Sequence, residues 1–62
     1  MNKCYDMNNV ELKVGNLVSY VVNGDDEDEG IITELLSDNQ IVINGDEGLR
    51  TVNASDCFSL EF

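Results

Sequence analysis

Turn-forming residues, mostly glycine and asparagine, recur at short intervals along this chain, and their spacing is the feature that most restricts its fold. Turn signals stand at Gly15-Asn16, at Asn23-Gly24, at Ser37-Asp38-Asn39 and across Gly45 to Gly48. These residue types tolerate the backbone conformations that tight turns need. The segments between them are short and rich in β-branched residues, so the pattern predicts β-strands and no long helix.

Five short strands are predicted, and one face of each should form the core. They cover Leu17 to Val22, Ile31 to Leu36, Gln40 to Asn44, Leu49 to Val52 and Cys57 to Phe62. Side chains alternate between the two faces of a strand. We therefore expect Val18, Tyr20 and Val22 to point inward from the first strand, and Ile41 and Ile43 from the third.

The length of 62 residues allows one domain at most. Residues 1–9 are polar and rich in asparagine, and are predicted to form a flexible N-terminal arm. Residues 10–62 are predicted to form the folded domain, with a single helical turn at residues 53–56. Five short strands must curl into a small barrel to bury one face and limit exposed edges, so we expect an all-β barrel.

Three segments resemble those of SH3-like small barrels, including the Tudor-like and KOW-like branches. Val14 to Tyr20 looks like the opening of their first strand, Gly30 to Leu35 is similar to their second strand, and Val52 to Asp56 lies where they place a 3-10 turn. The resemblance implies a five-stranded SH3-like barrel over about residues 12–62. The chain is also similar to short bacterial and phage proteins with a Gly-Asn-x-Val opening, which implies no particular activity.

The ligand-binding residues of these families do not carry over with the fold. The aromatic residues are Tyr5, Tyr20, Phe58 and Phe62, too few for the proline-peptide groove of SH3 domains or the methyl-lysine cage of Tudor domains. The basic surface by which KOW domains contact RNA is missing as well. The resemblance therefore implies a fold without a function.

The charge balance restricts the partners of this chain. It has 13 acidic and 3 basic residues and a net charge of −10, and the bases are Lys3, Lys13 and Arg50. Proteins that bind nucleic acids neutralise phosphates with many lysines and arginines, so direct binding to DNA, RNA or an anionic membrane is not expected. The negative net charge attracts a basic protein or a cation, or it serves only to keep the domain soluble. Arg50 is expected to pair with an acid such as Glu34.

Two acidic groups are the candidate partner-binding residues, namely Asp25, Asp26, Glu27, Asp28 and Glu29, and Asp46 with Glu47. The first group is predicted to be a solvated loop, because like charges at that density repel each other. Our leading hypothesis is a non-enzymatic interaction module that binds another protein, for which the charge favours a basic one, or itself, through a strand edge and this acidic face. The alternative is a mimic of nucleic-acid phosphates that inhibits a DNA- or RNA-handling protein.

Catalytic and metal chemistry is not predicted. Histidine is absent, so no serine or cysteine nucleophile has an imidazole base. We expect Cys57 to be a buried apolar side chain and Cys4 a mobile thiol, and a disulfide between them is left open. Two cysteines without histidine are too few for a structural zinc site. No signal peptide or membrane-spanning run is visible, which predicts a cytoplasmic protein with reduced thiols.

Calcium is the one cation for which a partial motif exists. Asp25, Glu27, Glu29 and Gly30 match the first, third, fifth and sixth positions of an EF-hand loop. The twelfth position of that loop must be a bidentate glutamate, and Leu36 stands there instead. No cofactor or metal site is therefore predicted.

Overall fold

The structure, a computed structural model, describes residues 2–22, 24 and 26–61, and in them the chain is all-β. The strands are β1 (Cys4–Tyr5), β2 (Glu11–Leu12), β3 (Leu17–Val22), β4 (Asp26–Leu35), β5 (Gln40–Gly45), β6 (Gly48–Asn53) and β7 (Cys57–Ser59). One 3-10 turn, Ala54–Asp56, precedes β7, as the sequence predicts. In these residues there is no helix whose length and hydropathy suit it to span a bilayer.

The main sheet is antiparallel, with the strand order β6-β5-β4-β3-β7, and β1 and β2 pair separately. The long strand β4 serves two neighbours, since its first part pairs with β3 and its second part with β5. The two ladders overlap at Gly30 and Ile31, and a bulge follows between Ile32 and Glu34. β6 and β7 are the two edges, and no ladder joins them in the described residues.

The predicted core is confirmed wherever the structure describes it. Val18, Tyr20, Ile41 and Ile43 are buried, whereas the side chain of Val22 lies outside the described residues. The buried apolar cluster comprises Cys4, Leu12, Val18, Tyr20, Ile32, Ile41, Ile43, Ala54 and Cys57. Strands from both halves of the sheet thus wrap around one core.

The N-terminal segment differs from the flexible arm predicted for residues 1–9. Cys4 is fully buried and pairs with Leu12 across β1 and β2. The side chain of Asn39 accepts from the amide of Tyr5 at 2.8 Å and donates to its carbonyl at 3.1 Å, as a neighbouring strand would. A chain this short has little apolar surface to bury, so Cys4 and Leu12 complete its core.

The acidic run also differs from the solvated loop that was predicted. β4 begins at Asp26, and its ladder with β3 runs from Val22–Asp26 to Leu17–Ile31, while Asp25 lies outside the described residues. Successive carboxylates in a strand point to opposite faces, so neighbours on one face are about 7 Å apart. This spacing reduces the repulsion that the sequence argument assumed, and the backbone ladder stabilises the strand.

The last strand is shorter than the predicted Cys57 to Phe62. β7 ends at Ser59, although the amide of Leu60 still donates to the carbonyl of Leu17 at 3.0 Å, and Phe62 lies outside the described residues. Cys57 and Ser59 point into the core, so Phe58 points outward from the sheet. The largest apolar side chain of β7 is therefore on the solvent face.

Candidate protein-interaction surface

The structure brings the two acidic groups to one end of the sheet. In the ladder between β4 and β5, Gly30 lies opposite Gly45. Because these strands are antiparallel, the residues that follow Gly45 lie beside those that precede Gly30. We call this surface the acidic end, and of the predicted partner-binding residues it contains Asp26, Glu27, Asp28, Glu29, Asp46 and Glu47.

Tyr20 lies between the two acidic groups, on the inner side of the acidic end. Its hydroxyl donates a hydrogen bond to Asp28 Oδ2 at 3.3 Å and packs against Gly45. Burial raises the pKa of Tyr20, and the carboxylate of Asp28 raises it further, while the charge of Arg50 opposes this shift and that of Asp46 adds to it. The tyrosine therefore stays protonated, and the half-buried Asp28 accepts the hydrogen bond that its hydroxyl donates.

Arg50 is the one basic residue at the acidic end in the described part of the chain. Its Nη2 atom lies 2.9 Å from Glu47 Oε2, so the pairing with Glu34 suggested by the sequence is wrong. The ladder places Arg50 opposite Ile43 on β5, whereas Glu34 lies on β4 opposite Val42, one strand farther away. Both partners are solvent-exposed to a large extent, so this ion pair contributes little stability.

The remaining bases lie away from the acidic end. Lys3 and Lys13 line a shallow groove together with Leu35, which is the last residue of β4. The acidic end lies at the first residues of the same strand. The two lysines thus lie at the opposite end of β4 from the acidic end, which keeps a strong net negative charge.

An apolar groove lies on the solvent face of β3 and β7. We call it the outer groove and define it by Met7, Val21, Glu27, Asp56, Phe58 and Leu60. Its volume is about 310 Å³. Its three main apolar side chains are well exposed, with 53% for Met7, 52% for Val21 and 40% for Phe58.

Strand alternation explains why this groove exists. Val18 and Tyr20 point into the core from β3, so Ser19 and Val21 between and after them face solvent. Across the ladders, Ser19 lies opposite Phe58 and Val21 lies opposite Glu27. An apolar strip on β3 and β7 is therefore bordered by a carboxylate from β4.

Asp6 holds the N-terminal wall of the outer groove in place. Only 5% of this residue is exposed, and its Oδ1 accepts hydrogen bonds from the amides of Asn8 at 2.9 Å and Val10 at 2.8 Å. Its Oδ2 accepts from the amide of Ser59 at 2.9 Å. Burial by itself would raise the pKa of Asp6, but these hydrogen bonds outweigh it and hold the pKa below its usual value.

The same contacts occupy the free edge of β7. The amide of Met7 donates to the carbonyl of Cys57 at 3.0 Å, and Asp6 takes the amide of Ser59. Because Phe58 and Leu60 pair with β3, the backbone groups of Cys57 and Ser59 point away from it, and these two contacts take one group from each residue. The N-terminal segment thus covers this edge and places Met7 against the groove.

Both cysteines are free and buried. The sequence argument expected a mobile thiol at Cys4, but its Sγ lies 3.4 Å from the carbonyl oxygen of Gln40 inside the core. The prediction for Cys57 is confirmed, and burial raises its pKa to about 11. Within residues 2–22, 24 and 26–61, no group of three or more cysteine, aspartate or glutamate side chains is arranged to hold a metal ion.

Sequence reasoning named the carboxylates of the acidic end but left open whether they share one face, and it missed the outer groove and Asp6. The groove had a usable signal, because placing Cys57 in the core puts Phe58 on the opposite face. Asp6 had none, since its partner Ser59 lies 53 residues away along the chain. Protein-family models, curated proteins and solved structures contain no match to this chain, so its surface geometry is the basis for a functional interpretation.

Proposed function

We propose that this protein is a small, non-enzymatic interaction module that binds a basic protein through the acidic end. The observation that carries the proposal is the pairing of Gly30 with Gly45, which puts six carboxylates at the same end of the sheet as a single arginine. A surface of one charge sign speeds encounter with a partner of the opposite sign and rejects partners of the same sign. Arg50 engages only Glu47 among these carboxylates.

An SH3-like barrel is the fold that we propose for this module. The strand order β7-β3-β4-β5-β6 and the 3-10 turn between β6 and β7 support it. A shared core supports it too, because Ile41 and Ile43 of β5 pack in the same cluster as Cys57 of β7. A sheet that surrounds one core from both halves must curl strongly.

Self-association through a strand edge is the less favoured form of the same proposal. β6 is an edge strand, and its Leu49 is 71% exposed, so this edge offers backbone groups and an apolar side chain to another chain. A second copy, however, carries the same charge of −10 and is repelled at low salt. A basic partner has no such penalty.

The chemistry of the Cys57 thiol supports a non-enzymatic role. A pKa of about 11 keeps the Cys57 thiol protonated near neutral pH, and the thiolate is the reactive form. The side chain is also fully buried, so no substrate reaches it. Tyr20 is equally unsuited to act as a base, since its raised pKa keeps its proton on the hydroxyl.

Mimicry of nucleic-acid phosphates is a second candidate, favoured by the same placement of the carboxylates. Two acidic groups at one end of the molecule form a denser negative surface than either group alone. A mimic would occupy the nucleic-acid site of a DNA- or RNA-handling protein. Competition by DNA or RNA for the same partner distinguishes this candidate from an ordinary acidic docking surface.

A tagged pull-down from lysate of the source cell, washed at low and then at high salt, tests the proposal. We expect basic proteins to bind at low salt and to be released as the ions screen the carboxylates. If added duplex DNA also releases them, mimicry is the better description. Partners that resist high salt, or capture of the protein by itself alone, would contradict binding through the acidic end.

A further inference from the structure

We propose that the outer groove binds one bulky apolar side chain of a basic partner, from an extended segment in which lysine or arginine flanks that side chain. This inference rests on the proposed function and deepens it, because it adds a second anchor beside the acidic end. The acidic end supplies attraction to any basic surface, and the groove supplies selection for one sequence pattern.

The first argument is the chemistry of the groove lining. Met7, Val21 and Phe58 form an exposed apolar strip, and the carboxylates of Glu27 and Asp56 belong to the same groove. A contiguous apolar patch with a polar border on a small soluble domain marks an interaction site. The border in this case is acidic, so the residues next to the buried side chain should be basic.

The second argument is that Phe58 is not needed for the core. Its neighbours Cys57 and Ser59 fill the inner face of β7, and Phe58 remains 40% exposed on the outer face. A threonine or a charged residue would serve a solvent-exposed strand position equally well. An aromatic side chain that is half exposed beside Val21 instead offers a surface for another apolar group, as interface anchors do.

The third argument concerns how the partner can lie on the surface. Met7 and Asp6 already occupy the outward carbonyl of Cys57 and the outward amide of Ser59, and the amide of Cys57 bonds to Ala54, so a peptide has too few backbone groups there to extend the sheet. The partner must instead cross the solvent face of β3 and β7 and insert a side chain. The hydrogen bonds of Asp6 also hold Met7 in position before binding, which lowers the ordering cost.

The fourth argument is size and charge. A volume of about 310 Å³ is at the lower limit for small-molecule pockets, and it suits a single large side chain. The net charge of −10 disfavours anionic metabolites and a second copy of this chain. A cationic peptide segment that inserts one large side chain fits both the volume of the groove and the charge of the protein.

Titration with blocked synthetic pentapeptides, followed by amide chemical shifts, tests this inference. The main probe has a central tryptophan between two pairs of lysines. One control replaces the tryptophan with serine, and another replaces the lysines with serines. We expect the main probe to shift the amides of Ser19, Val21 and Phe58, and either control to bind about tenfold more weakly or worse.

Matched variants locate the anchor. Phe58→Thr removes the aromatic wall and keeps a strand-forming residue, whereas Leu49→Thr makes the same kind of change on β6, outside the groove. We expect Phe58→Thr to weaken the main probe about tenfold and Leu49→Thr to leave it unchanged. Val21→Thr gives a second test of the groove if Phe58→Thr does not melt cooperatively.

The outcomes separate failure of the groove from failure of the proposed function. Shifts confined to the acidic end, equal for tryptophan and serine peptides, would overturn the groove and leave the acidic end as a binding surface. No shift with either lysine peptide would overturn both. A dimer in sedimentation that Phe58→Thr disrupts, without binding of the main probe, would make a second copy the occupant and overturn the inference.

Discussion

The hydroxyl of Tyr20 fills the space that a side chain on residue 45 would need. A β-carbon on Gly45 would overlap this oxygen and would also lie 3.1 Å from the carbonyl oxygen of Glu29. The hydroxyl cannot move away freely, because it donates to Asp28 at 3.3 Å. Tyr20 and Gly45 therefore join β3 to β5 at the acidic end.

This relationship predicts an energetic coupling. Gly45→Ala should lower the free energy of unfolding by about 1–3 kcal/mol, the usual cost of overpacking. In the Tyr20→Phe background the overlapping oxygen is gone, so the same substitution should cost clearly less. Urea unfolding of the two single variants and the double variant measures this coupling. An equal cost in both backgrounds would show that Tyr20 does not restrict residue 45.

Asp6 is expected to be a major stabilising residue despite its charge. Asp6→Asn replaces one accepting oxygen with an amide that faces backbone N–H groups, and it should destabilise the protein by about 2 kcal/mol. Asp38→Asn, at an exposed turn position, makes the same chemical change and should cost little. Similar unfolding free energies for the two variants would contradict the role assigned to Asp6.

Because the pKa of Asp6 is lowered, the stability difference between the native protein and Asp6→Asn should depend on pH. The unfolded aspartate titrates near pH 3.9, and the folded carboxylate holds its charge to a lower pH. Its contribution is therefore complete above about pH 4 and is lost as the pH falls through the folded pKa. The stability gap between the native protein and Asp6→Asn should narrow below about pH 4. A gap that stays constant down to pH 2 would contradict this account.

Cys57 predicts a loss of stability at alkaline pH. An unfolded cysteine ionises near pH 8.5–9, but the buried thiol has a pKa of about 11, so the folded state holds its proton longer. Stability should fall as the pH rises from about 9 to 11, by about 2–3 kcal/mol from this residue. Tyr20 adds to the loss at higher pH, since its pKa is raised too. Cys57→Ala should reduce the slope between pH 9 and 11, and an unchanged slope would refute the assignment.

Two substitutions test the core, one that adds a charge at a buried position and one that removes a charge from the surface. Ile43→Asp places an unpaired carboxylate at a fully buried position and should unfold the domain. Asp26→Asn removes a charge from an exposed strand position and should leave stability unchanged or raise it slightly. Circular dichroism with thermal unfolding reports both. Tolerance of Ile43→Asp would mean that the assigned inner face is wrong.

The sequence predicts the strands well where turn chemistry and alternation agree. Gly15 with φ of 96° and the pair Asp38 and Asn39 with φ of 60° and 58° adopt the left-handed backbone that their types favour, and strands begin next to them. Val18 and Ile43 follow the two-residue period into the core. These features are local, so a single sequence contains them.

Contacts that are distant in sequence account for what was missed. Asp26 to Glu29 form a strand because β3 pairs with them. The repulsion between their charges, which is the only local signal, predicts a loop instead. Cys4 is ordered by packing against Leu12 and by the nearby carbonyl of Gln40, while Asp6 is fixed by Ser59. The position of Asp46 at the same end of the sheet as the first residues of β4 depends on the register between β4 and β5, which the sequence alone does not specify.

The central claim is tested most directly by two triple variants with equal net charge, used in parallel pull-downs from the same lysate. One, Asp26→Asn with Glu29→Gln and Asp46→Asn, removes carboxylates from the acidic end and leaves Asp28 and Glu47 with their partners Tyr20 and Arg50. The control, Glu11→Gln with Glu34→Gln and Asp38→Asn, removes exposed carboxylates elsewhere. We predict that the first variant loses the basic proteins captured at low salt and that the control retains them. Equal loss in both variants would show that overall charge alone attracts these proteins, and would contradict a binding surface at the acidic end.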